Sequence, residues 1–317
     1  MVFAWIMTIK TALKNQLQQR FAHRVRFDEP MSGHTSFRVG GPSDAWVAVT
    51  DESELMSLMP LLRDNGVPFL VLGGGSNLLV KDGGFRGVVI SMAGRLTEIS
   101  QIGIEKISAM AGAKLNSLCR YAIDKGLAGM NFAIGIPGTV GGGIRMNAGT
   151  ALGAMGSVLE IIRVILPDGK NLQLKGSALL FDYRRLSFPD AVPASINDCV
   201  IIEGQFSLFP GCRESLTAEA DTLLKNRRAA QPTHLPSAGC FFKNPENGEP
   251  AGKLIDLAGL KGLRVGDAEI SPMHGNYIVN RGIASAADIL SLMEIVRETV
   301  FKKFNVILEP EVQIVGI

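Results

Sequence analysis

The chain has 317 residues, 46% of them hydrophobic and 20% charged, and carries a net charge of +2. That length suits two or three domains with a sizeable core, and so even a charge balance gives no basic groove for nucleic acid. No apolar run reaches the ~18–20 residues that cross a bilayer, and the apolar opening MVFAWIMTIK lacks a cleavage-site pattern. A cytoplasmic protein beginning at Met1 or Met7 is the expectation.

In chain order, ESELMSLMPLLRDNG (52–66) has the apolar spacing of a helix, with Leu55, Met56, Leu58, Met59 and Leu62 on one broad face. Pro60 inside it should kink or shorten it. PFLVLGGG reads as a buried strand running into a glycine turn. GVVISM and IEKISAMAGA are strand-like, and KLNSLCRYAIDKG is an amphipathic helix. VLEIIRVILPDGKNLQL reads as a hairpin turning at Asp168-Gly169, and CVIIEGQFSL closes the block. Near residue 205 glycine thins out. RESLTAEADTLLKNRRAAQ is helical, with NRRAAQ as a solvated face. ASAADILSLMEIVRETVFKKF is a strong helix with a capping box at Ser285 and Asp288. NVILEPEVQIV is a final strand on which Glu309 and Glu311 share a face. Boundaries fall near 204 and, more weakly, at 93–103.

Glycine, at 36 residues, clusters in RVGGPSD, VLGGGSNLLV, KDGGFRG and IGIPGTVGGGIRMNAGTALG. Consecutive amides in GGGSN can form a nest for anionic oxygens, with Ser76 and Asn77 as extra donors; a plain β-turn is the alternative. The loop is neither a Walker A sequence nor the opening of a Rossmann helix, since Leu-Leu-Val follows Asn77. The Gly40-Gly41 loop, the loop at 136–143 and NAG (147–149) raise the prospect of one shared anionic ligand.

Of the four cysteines none lies in CxxC, and no His stands at metal-ligand spacing, so a reduced protein without a metal site is expected. Cys119 shares a helical face with Leu115, Leu118 and Ala122, and Cys199 opens an apolar strand. These two and Cys212 are expected to be packed or remote. Cys240, in LPSAGCFFKNP, sits in a loop bounded by Gly and Pro. Core packing, a structural thiol and chemistry all stay open for it.

Seven stretches occur in order: HTSFRVGGPSD, VLGGGSNLLV, FAIGIPGTVGGGIRMNAG, DYRRLSF, PSAGCFFKNP, HGNYIVN and LEPEVQIVG. From about residue 20 to its end the chain resembles the UDP-N-acetylenolpyruvoylglucosamine reductases. It is similar to the family's second type, which lacks an extra loop over the substrate. The resemblance implies an α+β fold: a vanillyl-alcohol-oxidase-like FAD-binding unit of two α/β subdomains (1–92 and 93–204) and a C-terminal α/β substrate domain (205–317). It implies non-covalent FAD, NADPH as hydride donor, and UDP-N-acetylglucosamine enolpyruvate as substrate in peptidoglycan precursor synthesis; a monomer is the expectation, although the sequence itself does not reveal oligomeric state. FAD would be held by Arg38, Val39, Gly40 and Gly41; by Gly73, Gly74, Gly75, Ser76 and Asn77; by Gly135, Ile136, Pro137, Gly138, Thr139, Gly141 and Gly142; and by Asn147 and Gly149.

The implied reaction passes hydride from reduced flavin to an enol ether conjugated with a carboxylate. It needs a cation at the carboxylate, a further polar group and a positioned acid. Arg184, after Tyr183, matches the family's arginine, with Arg185 as a decoy. Glu311 matches its glutamate, and Cys240 stands where the family usually has the proton-donating Ser. Tyr183, Lys243, Asn244 and Asn276 match substrate contacts. A thiol of ordinary pKa ~8.5 is far more acidic than an alcohol. To donate a proton it must stay a thiol, with Arg184 or Lys243 favouring thiolate and Glu311 opposing it. The competing reading on the same scaffold is an FAD-dependent sugar or aldonolactone oxidase or dehydrogenase with flavin attached through a histidine. His23, His34, His234 and His274 are the candidates, and only His34 lies near a glycine loop. A nucleotide-binding module without catalysis is the third reading.

Overall fold

The computed structural model describes residues 9–190, 192, 194–246 and 248–317. The choice between Met1 and Met7, and most of the apolar opening, therefore lie outside the described residues. Helix α1 (Thr11–Phe21) leads into a four-stranded sheet. Its strands are β1 (Val25–Pro30), β2 (Pro42–Val49), β3 (Phe69–Leu72) and β5 (Phe85–Met92), in the order β1-β2-β5-β3. β1 is antiparallel to β2, while β2 and β3 both run parallel to β5. Leu13, Leu17 and Phe21 of α1 and Leu55, Leu58, Met59 and Leu62 of α2 (Glu52–Asp64) fill one cluster with Val47, Val88 and Ile90. Burying each such side chain contributes roughly 1.5–3 kcal/mol.

Pro60 does not end α2, contrary to the expectation from its ring chemistry; the helix runs from its Asp51 cap through Asp64. A proline removes the hydrogen bond to the carbonyl four residues back, here that of Met56. Gly169, at φ +83° in the Asp168-Gly169 turn, packs on that carbonyl so closely that a Cβ would collide with it. The hairpin turn from the next subdomain thus covers the gap that the proline opens.

The second sheet has five strands, all antiparallel: β6 (Ile99–Gln101), β7 (Lys106–Met110), β8 (Leu159–Ile165), β9 (Asn171–Lys175) and β12 (Val200–Ser207), in the order β9-β8-β12-β7-β6. Helices α3 (Leu115–Asp124) and α4 (Val140–Arg145) pack on it, with Cys119 buried as expected. The hairpin β10 (Leu180–Asp182)–β11 (Arg185–Ser187) stands off this sheet. Arg163 of β8 ties the second sheet to α2: it pairs with Glu203 on the neighbouring β12 at 2.5 Å and with Glu52 on α2 at 2.9 Å.

Helix α5 (Arg213–Ala230) buries Leu216 and Ala220 in the cluster of the second sheet. The last part holds α6 (Ala251–Leu257), the small antiparallel sheet β13 (Arg264–Val265)–β14 (Ala268–Ile270)–β15 (Ile278–Asn280) and α7 (Ala286–Phe304). The Ser285/Asp288 capping box is formed, and Asp82 adds a second cap by accepting from the Ala286 and Ala287 amides.

The terminal strand is shorter than the sequence suggests. Only β16 (Gln313–Val315) is regular, and it pairs in parallel with β4 (Leu78–Val80). Before it, the chain runs beside residues 241–243: the Lys243 amide donates to the Glu309 carbonyl and the Glu311 amide to the Phe241 carbonyl. Pro310 between them has no amide to extend that ladder.

Candidate active site

The β4–β16 pairing builds the site, because it seats the end of the chain on the GGGSN loop. The Gln313 amide donates to the Asn77 carbonyl at 3.1 Å, and Asn77 Nδ2 donates to the Glu311 carbonyl at 3.2 Å. Glu311 then meets Arg184. Tyr183 and Arg184 form the two-residue tip between β10 and β11, since Asp182 pairs with Arg185. Arg184 sits there at φ +57°, a left-handed conformation uncommon for a side-chain-bearing residue. Arg38 (φ +56°) and Asn147 (φ +41°) share that strain, and all three are residues singled out from the sequence. Arg184 Nε donates to Glu311 Oε1 at 2.7 Å, and its guanidinium lies 4.8 Å from the centre of the Tyr183 ring. Its two terminal nitrogens have no partner among the described residues. Arg185 bonds only Ser187 among the described residues, on the flank.

Cys240 is half-buried beside this pair. Burial above all, then the Glu311 charge, pushes its thiol up to about 11, against opposing pulls from Arg184, Tyr277 and Arg227. The group is therefore a protonated thiol at neutral pH. Lys243, expected to favour thiolate, plays no part in this and pairs with Glu309 at 3.1 Å on the surface. Cys199 is buried as expected, but Cys212 is not: it is exposed, its Sγ donating to Glu214 Oε2 at 3.1 Å.

Two residues escaped the sequence reading. Tyr277, 8% exposed, has its hydroxyl against Cys240, and burial followed by the Cys240 thiol raises its pKa. Arg227 lies in the NRRAAQ stretch that reads as a solvated face, yet its guanidinium is largely desolvated and donates to the Gly135 carbonyl at 3.0 Å. Its neighbour Arg228 does face solvent. For Arg227 the signal was a helical phase: Leu216, Ala220 and Leu224 pack inward, and Arg227 continues that face three residues after Leu224.

One expected substrate contact belongs to the scaffold. Asn276 is 3% exposed, and its amide is used up by the Phe242 backbone, accepting from the amide at 2.9 Å and donating to the carbonyl at 2.7 Å. It fixes the loop that carries Cys240. Asn244 caps α6 with its side-chain oxygen, accepting from the Ala251 amide at 3.1 Å, and is itself exposed. Tyr183 and Lys243 remain accessible.

The glycine loops divide the same way. A Cβ on Gly141 would press on Ala111 at 2.8 Å, and one on Gly149 would press on Ala154 at 2.7 Å. A Cβ on Gly40 would press on Val80 at 2.8 Å, and Gly41 lies against Asp82. These glycines bring chain against chain. The GGGSN loop and the 135–142 loop, by contrast, meet one another: Ser76 Oγ donates to the Pro137 carbonyl at 3.0 Å, and a Cβ on Gly74 would lie 2.9 Å from Gly138 Cα. Val39 is core, and Ile136 packs partly against the second cluster, so either would reach a ligand through its backbone.

Comparison with known proteins decides the family. Residues 43–175 match the FAD binding domain, and residues 231–315 match the UDP-N-acetylenolpyruvoylglucosamine reductase C-terminal domain. The reductase of Desulfosudis oleivorans is 50% identical over 300 residues, covering 93% of this chain and 96% of its own. That of Syntrophus aciditrophicus is 43% identical and covers 96% of each chain. The crystal structure of the Thermus caldophilus reductase superposes with a TM-score of 0.76 at 36% identity, covering 90% of this chain and 97% of that one.

The chain belongs to the UDP-N-acetylenolpyruvoylglucosamine reductase family.

The reductase fold is thus an α+β FAD-binding unit followed by a C-terminal domain. The residues present fit FAD. The amides of Gly74, Gly75, Ser76 and Thr139 find no acceptor among the described residues, as a diphosphate cradle requires. Gly142 is exposed on α4, and a Cβ there would touch only Thr139 Oγ1, at 3.6 Å. Histidine attachment finds no support at His34, whose ring is held by Glu29 at 2.8 Å and stacked on Trp46. Among the described residues no group of His, Cys, Asp and Glu could hold a metal ion, and no helix is long and apolar enough to cross a membrane.

Proposed function

We propose that the chain reduces the enolpyruvyl group of UDP-N-acetylglucosamine enolpyruvate to the lactyl ether of UDP-N-acetylmuramate, a step of peptidoglycan precursor synthesis. The observation that carries this reading is the meeting of Arg184, Glu311 and a protonated Cys240 beside the cradle of unpaired amides, held there by the β4–β16 pairing. FAD, reduced by NADPH, supplies the hydride that adds to the far carbon of the double bond.

The chain's own residues manage the charge and the proton. Arg184 presents its two free terminal nitrogens to the substrate carboxylate, a bidentate fit that lysine does not offer. Negative charge grows on that carboxylate as the enediolate forms, so the contact strengthens toward the transition state. Glu311 holds the guanidinium from its Nε edge, and Tyr183 stacks against its face. Cys240 then gives its proton to the carbon next to the carboxylate, and the resulting thiolate is met by Tyr277 and Arg227. Gly74, Gly75, Ser76, Thr139 and Gly142 form the diphosphate cradle, and Arg38 and Asn147 flank it. The division into 1–92, 93–204 and 205–317 is read as two cofactor-holding parts and a substrate cover, with α5 bridging the last two. The reading places the protein in the cytoplasm as a monomer, where both nucleotides are made.

The test is anaerobic and has two steps. NADPH should bleach the flavin band, and the enolpyruvyl nucleotide should then restore it. An enzyme reoxidised by oxygen or sugars, but not by that nucleotide, would sink the proposal.

A further inference from the structure

Beside Arg184 lies a cavity of about 640 Å³, lined by the end of α4, the β10–β11 hairpin and residues 188–190, 192 and 194–197. Its volume is within the range that holds small ligands. Arg145, Arg184 and Arg185 line it, with Asp190 the one carboxylate among the described lining residues. Arg184 is neutralised by Glu311. Arg145 is not neutralised: among the described residues its only partner is the side-chain oxygen of Asn197, to which Nη2 donates. Asp190 and Asp198 form no ion pair with it. Cys199 is the nearby ionisable group, and burial first, then Asp198, pushes that thiol up to about 11, so it brings no charge at neutral pH. A desolvated guanidinium without a counter-charge is costly, and its presence in a cleft marks a binding function.

We infer that this cavity is a phosphate-binding subsite, in which Arg145 and Arg185 bind a phosphate of one of the two nucleotides that the enzyme uses. The inference rests on the proposed reaction, whose hydride donor and substrate both carry phosphates. Along α4, Arg145 lies about a turn and a half beyond Thr139, so this subsite is set apart from the diphosphate cradle at the head of that helix. It would govern nucleotide affinity and leave the chemistry to Arg184, Glu311 and Cys240.

The test uses FAD-loaded enzyme, with Arg145→Gln and Arg145→Lys. Calorimetric titration with inorganic pyrophosphate should give binding to wild type that weakens roughly 10–100-fold in Arg145→Gln, the loss expected for a charge-assisted contact. Arg145→Lys, which keeps the charge and loses the fork, should fall between. Half-reactions locate the source. A weaker apparent affinity for the enolpyruvyl nucleotide alone assigns the site to the UDP diphosphate. A weaker affinity for NADPH, with NADH unchanged, assigns it to the 2′-phosphate. Pyrophosphate binding and both nucleotide affinities within twofold of wild type, in a variant with full FAD and unchanged Tm, would overturn the inference. Loss of FAD from Arg145→Gln would also overturn it, by making the cavity part of the cofactor site. If wild type shows neither half-reaction, the proposed function fails instead, so the two failures are distinguishable.

Discussion

Replacing Gly142 with leucine separates the fold from the cofactor site. Gly142 is an exposed residue of α4, and its Cβ would meet only Thr139 Oγ1 at 3.6 Å, an ordinary contact. The apo protein should therefore accept the side chain and even gain, since glycine in a helix costs up to about 1 kcal/mol relative to a good helix former. For a chain of this size that corresponds to about 1–3 °C in Tm. The same side chain enters the space beside Thr139 and the GGGSN loop. If it costs FAD two hydrogen bonds to a charged group, at about 1.5–3 kcal/mol each, affinity falls by more than about 100-fold. Gly74→Leu is the contrast, because its Cβ would lie 2.9 Å from Gly138 Cα and the backbone must shift. That overpacking should destabilise the apo protein itself by about 1–3 kcal/mol. Thermal unfolding of apoprotein and a flavin-fluorescence titration read the two effects apart. A Gly142→Leu protein that binds FAD within about threefold of wild type would refute the placement of the cradle.

Arg184→Ala and Glu311→Ala should slow flavin reoxidation by the enolpyruvyl nucleotide far more than flavin reduction by NADPH, with Arg185→Ala mild on the rate at saturation; equal slowing of both steps would point to a structural role. Cys240→Ala should lose ~10²–10⁴-fold in turnover, the usual share of a general acid, while Cys240→Ser keeps much of it. Because the Cys240 thiol is raised to about 11, the acid form is present below that pH and lost above it; the reoxidation rate should stay level through pH 9–10 and fall toward 11, and a fall centred near 8.5 would contradict the burial argument. The same shift predicts slow alkylation of Cys240 at pH 8, best followed with Cys212→Ser, since exposed Cys212 reacts first. Gly169→Ala should lower Tm by several degrees, as its Cβ would meet both the Met56 carbonyl and Pro60 at a φ of +83°; an unchanged Tm would mean that the turn does not support α2.

What could be read from the sequence was local chemistry. Apolar spacing placed α2, α3, α5 and α7, and Asp168-Gly169 marked its turn, because those signals lie within a few residues of one another. What could not be read was supplied from far along the chain. Pro60 is tolerated in α2 because of a glycine more than a hundred residues on. Glu311 meets Arg184 because the last strand pairs with β4. Asn276 matches a motif by position, yet its amide is spent on the Phe242 backbone, which only the packed structure reveals. Arg227 looked like one charge among several, and its value depends on Gly135, 92 positions away in the chain. Glycine clusters likewise signal close approach without saying to what: Gly141, Gly149 and Gly74 approach chain, while Gly142 meets only Thr139 Oγ1, at 3.6 Å.

The most direct test of the mechanism is the anaerobic reoxidation of prereduced enzyme by UDP-N-acetylglucosamine enolpyruvate, run in parallel on wild type and Cys240→Ala, with hydride addition read from the flavin band and protonation from deuterium uptake at the carbon next to the carboxylate. Wild type should complete both events together, and Cys240→Ala, reduced normally by NADPH, should stall at product formation. Normal product formation by Cys240→Ala at the wild-type rate would contradict the assignment of Cys240 as the acid.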